Sequence, residues 1–316
     1  MSYKISVILP VYKSEKYILA CLKSIVYQTY PPYEIIVVSD GCLDDSVSIA
    51  REFLSKTSIK YKIFEKLNQG VSSARNYGIE RATGDWIIAM DSDDCVFPQT
   101  FELLMSHAAG QDVLAVGYGL NQSPENNPIV EDSDILFLSG KEALAKFYNR
   151  QFRFVSPAMM LNRKFIFDNA LKYDVGCLFA EDDIYVWKVL CRITKMVYIN
   201  KPLYNYIFHP GSTMTTPSID KFYSVKRFSE ELDMLYVQES SNVGVYKDKI
   251  LYRHYWGLIH AAAKVQKYKE FKSLVGYYDM KALYGKRRKL FSSKDKLMFD
   301  LPLLCPLIAY VLFRLK

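Results

Sequence analysis

Along the first two hundred residues, short apolar runs rich in β-branched side chains alternate with segments whose apolar positions recur every three or four residues. Ile5 to Val11, Glu34 to Ser39, Tyr61 to Glu65, Trp86 to Met90 and Asp112 to Tyr118 read as strands. Glu15 to Thr29 puts Ile18, Leu22, Ile25 and Val26 on one stripe and reads as a helix, as does Val71 to Ala82. This alternation predicts an α/β layer sandwich around a largely parallel sheet. Ligands of such sheets bind beyond the carboxyl ends of the strands, which here carry Tyr12, Ser39-Asp40 and Asp91-Ser92-Asp93. Gln122 to Asp134, polar and holding two prolines and four acids, predicts an exposed loop. After Pro217 the strand signals fade into helical patterns rich in Lys, Glu, Leu and Tyr, so the expected division is 1–217 and a helical 218–316.

With 50% hydrophobic and 24% charged residues over 316 positions, the chain can bury a substantial core, which excludes disordered and collagen-like classes. The net charge of +7 changes the picture through its location: Lys281 to Lys316 holds nine Lys or Arg against two Asp, and the rest balances. A tail that meets something anionic is implied, not a nucleic-acid groove in the main body. The six cysteines form no CxxC pair, so neither a zinc knuckle nor a thioredoxin-like site is expected. Reduced thiols in a cytosolic protein are the plain interpretation. The apolar start at Ile5 to Leu9 is too brief for a signal peptide and meets Lys13, Glu15 and Lys16 at once.

The run from Trp86 leads directly into Asp91, Ser92, Asp93 and Asp94. A solvated acidic turn accounts for an isolated DxD, because Asp is common in turns. The alternative is a divalent cation on hard oxygen ligands, with a diphosphate completing the shell, as Mg²⁺ or Mn²⁺ prefers. The company of the motif favours the cation: a second strand ends in Asp40-Gly41, and Asn68 to Gly78 is a polar loop entering a helix that carries Arg75 and Asn76. Glu181-Asp182-Asp183 opens a further helix with Ile184, Trp187, Leu190 and Cys191 on its apolar stripe. Acids favour that first turn through the helix dipole alone, so spacing leaves structure and catalysis even there.

Taken together and in this order, Ser6 to Tyr12, Asp40-Gly41, Asn68 to Gly78, Gly84-Asp85, Asp91-Ser92-Asp93, Glu181-Asp182 and His209-Pro210-Gly211-Ser212 resemble the inverting family-2 glycosyltransferases with a GT-A fold. The resemblance covers about the first two hundred residues. It implies a nucleotide-diphosphate sugar donor, UDP by family frequency, a bound Mn²⁺ or Mg²⁺, and transfer with inversion to a glycan or glycolipid acceptor. It also implies roles: Pro10, Val11 and Tyr12 border the base, Asp40 hydrogen-bonds it, and Arg75 lies beside the nucleotide. Asp91 faces the ribose side with Ser92 among the donor contacts, Asp93 ligates the cation, and His209 is a possible third ligand. Asp182 is the matching general base and Glu181 its support. Where many relatives have an arginine shortly before the histidine, Ile207-Phe208 stands here.

At the other end, Lys286-Arg287-Arg288-Lys289, Lys294 and Lys296 precede a run from Leu301 to Phe313 that is uninterrupted but well short of the roughly 20 residues that span a bilayer. An interfacial segment on an anionic membrane accounts for both halves; a helix packed on the main domain with solvated lysines is the plainer alternative. No RNA-binding signature, GxGxxG or GxxxxGK[ST] is present, and the first strand is followed by a loop without glycine. The expectation is therefore a cytoplasmic-side, peripherally attached transferase building a lipid-linked surface polysaccharide or lipopolysaccharide, with a catalytically silent nucleotide-sugar-binding protein as the rival. The rival has no chemical reason to keep Asp40, Asp91, Asp93 and Asp182 together.

Overall fold

The computed structural model describes residues 3–123, 127–148, 151, 154–177 and 180–209, and beyond them 268–277, 304–315 and a few shorter pieces. Two compact units emerge, one of residues 1–176 with 181–209 and one of 177–180 with 210–316. The division expected at Pro217, the Pro210-Gly211-Ser212 stretch and the basic run from Lys286 to Lys296 lie outside the described residues.

In the first unit, β1 (Ile5–Val11), β2 (Glu34–Asp40), β3 (Lys60–Lys66) and β4 (Trp86–Ala89) alternate with α1 (Ile18–Val26), α2 (Ser46–Leu54) and α3 (Val71–Ile79). Each crossover returns the chain in the same direction, so these strands pair in parallel in the order β3-β2-β1-β4. β1, β2 and β4 are buried along their whole length, which is why their sequences are continuous apolar runs without alternation. β3 is the edge strand and presents Lys60 and Lys62 to solvent, a charge pattern that discourages pairing with another chain. α3 sits so close to the sheet that a Cβ on Gly78 would fall 2.3 Å from Ile8 Cγ2; only glycine lets the helix approach there.

Beyond β4 the sheet becomes mixed. β5 (Cys95–Val96), β6 (Val113–Leu120), β7 (Ile135–Ser139), β8 (Met159–Asn162) and β9 (Lys195–Tyr206) complete it in the order β3-β2-β1-β4-β8-β6-β9-β5, with β7 also on β9. β4 and β8, β8 and β6, β9 and β7, and β9 and β5 pair antiparallel, while β6 and β9 run parallel. Helices α4 (Thr100–Ser106), α5 (Gly140–Tyr148), α6 (Arg163–Asp168) and α7 (Glu181–Leu190) belong to the same unit.

Two features of this topology position the site. Strand order reverses between β1 and β4, and such a switch point opens a crevice at the carboxyl ends. The register of β1, with Val11 beside Ser39 and Ile8 beside Ala89, brings Tyr12, Asp40 and Asp91 out along one edge. The second feature is the β5–β9 pairing. Cys95 faces Asn205 and Val96 faces Tyr204, so in an antiparallel ladder the residues just before Cys95 meet those just after Asn205.

The second unit contributes α8 (Tyr268–Tyr277) and α9 (Pro306–Leu315), which pack through Tyr310 on Tyr268 and Phe271, ring centroids 5.5 and 5.3 Å apart. Among the described residues no helix is long and apolar enough to cross a membrane.

Candidate active site

The end of β2 is built around one carboxylate. Asp40 is buried, and its oxygens accept from Lys66 Nζ at 2.5 Å, Gln69 N–H at 3.0 Å and Gly70 N–H at 2.8 Å. Lys66 is its register partner on β3, and Gly70 is the N-cap of α3, where an anion is favoured. The chain then turns at Gly41, with φ +77°; a Cβ there would meet Asn68 N at 3.0 Å. Asp40 thus organises the loop before α3, and a carboxylate with about four acceptor sites keeps one for a further N–H.

At the end of β1, Pro10 and Val11 are buried and Tyr12 is 47% exposed, with the Lys13 ammonium 5.1 Å from the centre of its ring. Ser92 points inward: its Oγ shares a 2.6 Å hydrogen bond with Ser14 Oγ, and Ser14 N–H donates to Ser46 Oγ. The Ser92 hydroxyl expected among the donor contacts is engaged in tying the β4 end to the β1 loop.

Arg75 is the hub. Only 3% exposed, it donates from Nη2 to Asp91 Oδ1 at 2.5 Å and from Nη1 to Glu181 Oε1 at 3.4 Å. Its guanidinium lies 5.0 Å from the centre of the Tyr173 ring, which stacks on Tyr185 at 3.7 Å. The neighbouring Asn76 holds the backbone of Tyr173 at both ends, donating to its carbonyl at 2.8 Å and accepting from its N–H at 2.9 Å. One turn of α3 therefore binds the end of β4 to the start of α7. There Glu181, Asp182 and Asp183 occupy the first turn, and Asp182 Oδ1 accepts the Asp183 N–H at 2.9 Å.

Asp93 and His209 meet just beyond the β5–β9 pairing, His209 Nε2 lying 3.0 Å from Asp93 Oδ2 with its ring stacked on Tyr17 at 4.3 Å. Asp94 turns the other way, into the core. It accepts from Tyr204 Oη at 2.6 Å and from Ile207 N–H at 2.9 Å.

The family model for Glycosyl transferase family 2 matches residues 6–171, more than half of the chain. The chain belongs to this family. Glycosyltransferase GlyA of Streptococcus pneumoniae is 34% identical over 219 residues, 66% of this chain and 31% of that protein, so the chain spans less than a third of it. GlyG of the same organism is 30% identical over 227 residues, 68% of this chain and 74% of that protein. Among solved structures, S. aureus TarS 1–349 in complex with UDP-GlcNAc superposes with a TM-score of 0.72 at 20% identity, over 98% of this chain and 90% of that one. The likeness confirms the GT-A fold, mixed in its second half and flanked by helices.

Three carboxyl groups of these segments are held above their ordinary values. Burial, then the charge of Asp91, raises Asp93 against the pull of His209. Burial, then Asp91 and Asp93, pushes Asp94 up to about 8. Asp182, only partly exposed, is raised well above the carboxylate range by desolvation and then by Asp183 and Glu181, with Arg75 opposing. A cluster crowded with negative charge is chemically suited to a divalent cation. Asp93 and His209 offer one hard oxygen and one imidazole nitrogen, a donor set that Mn²⁺ accepts. Among the described residues no three His, Cys, Asp or Glu groups could hold an ion by themselves. An ion here would take its remaining ligands from phosphate oxygens and water, as Mg²⁺ and Mn²⁺ sites commonly do.

In the sequence Asp94 is only one more member of the acidic run, whereas in the structure it has a role of its own. It fixes Tyr204 and Ile207, and hence the approach to His209. Asp94→Ala is expected to cost about 2–4 kcal/mol in urea unfolding: a buried donor that loses its partner costs about 1–3 kcal/mol, in full for the Tyr204 hydroxyl and less for the half-buried Ile207 N–H. If Asp93 and His209 hold a cation, the surviving folded protein should need more Mn²⁺ for half-maximal donor binding. An unchanged metal requirement would separate Asp94 from His209.

Proposed function

We propose that the chain is an inverting, metal-dependent glycosyltransferase that moves one hexose or N-acetylhexosamine from a UDP-linked donor to a hydroxyl of a lipid-linked surface glycan. The reaction takes place on the cytoplasmic face of the cell membrane, where the protein is held peripherally by its basic, apolar C-terminus. The observation that carries it is the Asp91–Arg75–Glu181 connection, which ties the DxD segment to the segment bearing Asp182. TarS, one of the solved structures with this fold, was crystallised with UDP-GlcNAc, which supports a UDP donor here.

In this reading Tyr12 and the buried Pro10-Val11 border the base, and the free acceptor site on Asp40 takes its N–H. Asp93 and His209 would hold the cation, which supplies positive charge against the diphosphate as it leaves. Asp182 accepts the proton of the acceptor hydroxyl while that oxygen attacks the anomeric carbon from the side opposite the diphosphate. The bond from that carbon to the phosphate oxygen breaks in the same displacement, UDP carries away the electron pair, and the configuration inverts. Glu181, anchored by Arg75, keeps the base segment in place.

The test is a melting-temperature screen of UDP-, GDP- and ADP-sugars with and without Mn²⁺. A donor at about 100 times its Kd adds about 2.7 kcal/mol, a rise of about 5–10 °C for a domain of this size. One UDP-sugar should respond, and only with the metal. Proton NMR of the transferred sugar then reads the anomeric configuration, and retention would overturn the single-displacement mechanism.

A further inference from the structure

One side of α9 is left uncovered. Tyr310 faces α8, and Ala309 and Phe313 are buried, Phe313 lying 5.0 Å from the His260 ring. Leu304, Leu307, Ile308, Val311 and Leu312 are instead 45–71% exposed. Within α9, Leu307, Ile308, Val311 and Leu312 recur at i, i+1, i+4 and i+5 and share a single face, and Leu304 lies just before the helix. Soluble proteins rarely leave such a contiguous aliphatic row in water.

Charge identifies what covers it. Lys286, Arg287, Arg288, Lys289, Lys294 and Lys296 precede the helix in the sequence, and Arg314 and Lys316 follow the stripe. A second copy of this chain would bring an equally basic flank against this one, whereas an anionic bilayer matches both the cations and the aliphatics. At 10 residues α9 is about 15 Å long, half the hydrocarbon thickness, so it can lie in the interface but not cross.

We infer that α9 lies in the plane of an anionic membrane surface, with Leu307, Ile308, Val311 and Leu312 inserted among the acyl chains and its aromatic side turned toward its own unit. The inference rests on the membrane attachment proposed above and adds the inserting face.

The experiment uses the full chain with vesicles of equal parts phosphatidylglycerol and phosphatidylcholine, and with phosphatidylcholine alone, followed by co-sedimentation at low and high salt. The triple variant Leu307→Ser, Ile308→Ser, Val311→Ser should bind the anionic vesicles at least about ten-fold more weakly, with UDP release from donor unchanged. In a separate variant, Ile308→Trp should show a blue-shifted indole emission on binding, which carries the test even if the triple variant fails to fold. Equal binding by the triple variant, or no shift in the indole emission of the bound Ile308→Trp chain, overturns the inserting face while leaving cation-led attachment standing. Failure of the unmodified chain to bind overturns both, yet UDP release would still support the transferase reading. A dimer that the triple variant converts to monomer assigns the face to self-association and overturns the inference.

Discussion

Asp182→Asn is expected to lower sugar transfer by about three orders of magnitude, within the range that a positioned general base contributes, while leaving donor and Mn²⁺ binding intact. The substitution keeps the shape and the oxygen that accepts the Asp183 N–H, and removes only the ability to take a proton. The raised pKa makes the prediction sharper. Desolvation and the carboxylates of Asp183 and Glu181 hold the Asp182 proton more tightly than a free aspartate would, so the rate should climb with pH through a value above the ordinary carboxylate range. The variant should lack that limb. Stability has the opposite sign: an acid that binds its proton more strongly when folded loses stability as pH rises from the unfolded pKa through the folded one. Asp182→Asn should therefore melt no lower than the unmodified chain at neutral pH. Transfer within ten-fold of the parent, measured as UDP released in the presence of acceptor, would remove Asp182 from the chemistry.

How much of this was legible in the sequence depended on whether one neighbour or several decided the structure. β1, β2 and β4 are buried on both faces, and their apolar runs announced them. β9 reads KMVYINKPLYNY, with no clean alternation, because its first half pairs with β7 and its second with β5. β5 is two residues long and exists only because β9 lies beside it. The same holds in the site. Asp40, Asp91 and Asp93 stood out as carboxylates ending strands, but Lys66 becomes a partner of Asp40 only once the β2–β3 register is known. Asp94 and Asp93 are adjacent acids with opposite surroundings, one held by Tyr204 and the other facing His209. Only the turn between β4 and β5 decides which is which. Tyr17, stacked on His209 from across the chain, left no local signal at all.

Arg75→Lys separates two roles for one guanidinium. The family resemblance puts Arg75 beside the nucleotide, whereas in the structure both terminal nitrogens are taken by Asp91 and Glu181, and the buried Nε has no hydrogen-bond partner among the described residues. Lysine keeps the charge but cannot fork between two carboxylates on different segments, so it should retain Asp91 and release Glu181. Losing a hydrogen bond to a charged group costs about 1.5–3 kcal/mol, toward the low end here because the contact is 3.4 Å long. If Arg75 acts as a clamp, kcat falls about 10- to 100-fold through the loosened Asp182 segment, with donor Kd within about three-fold. If it reads the nucleotide, donor Kd rises ten-fold or more and kcat at saturating donor falls little. Glu181→Gln supplies the second side of a double-mutant cycle. A clamp that works through Glu181 makes the two substitutions non-additive, since either one alone already frees the start of α7, whereas independent roles would multiply their effects on kcat.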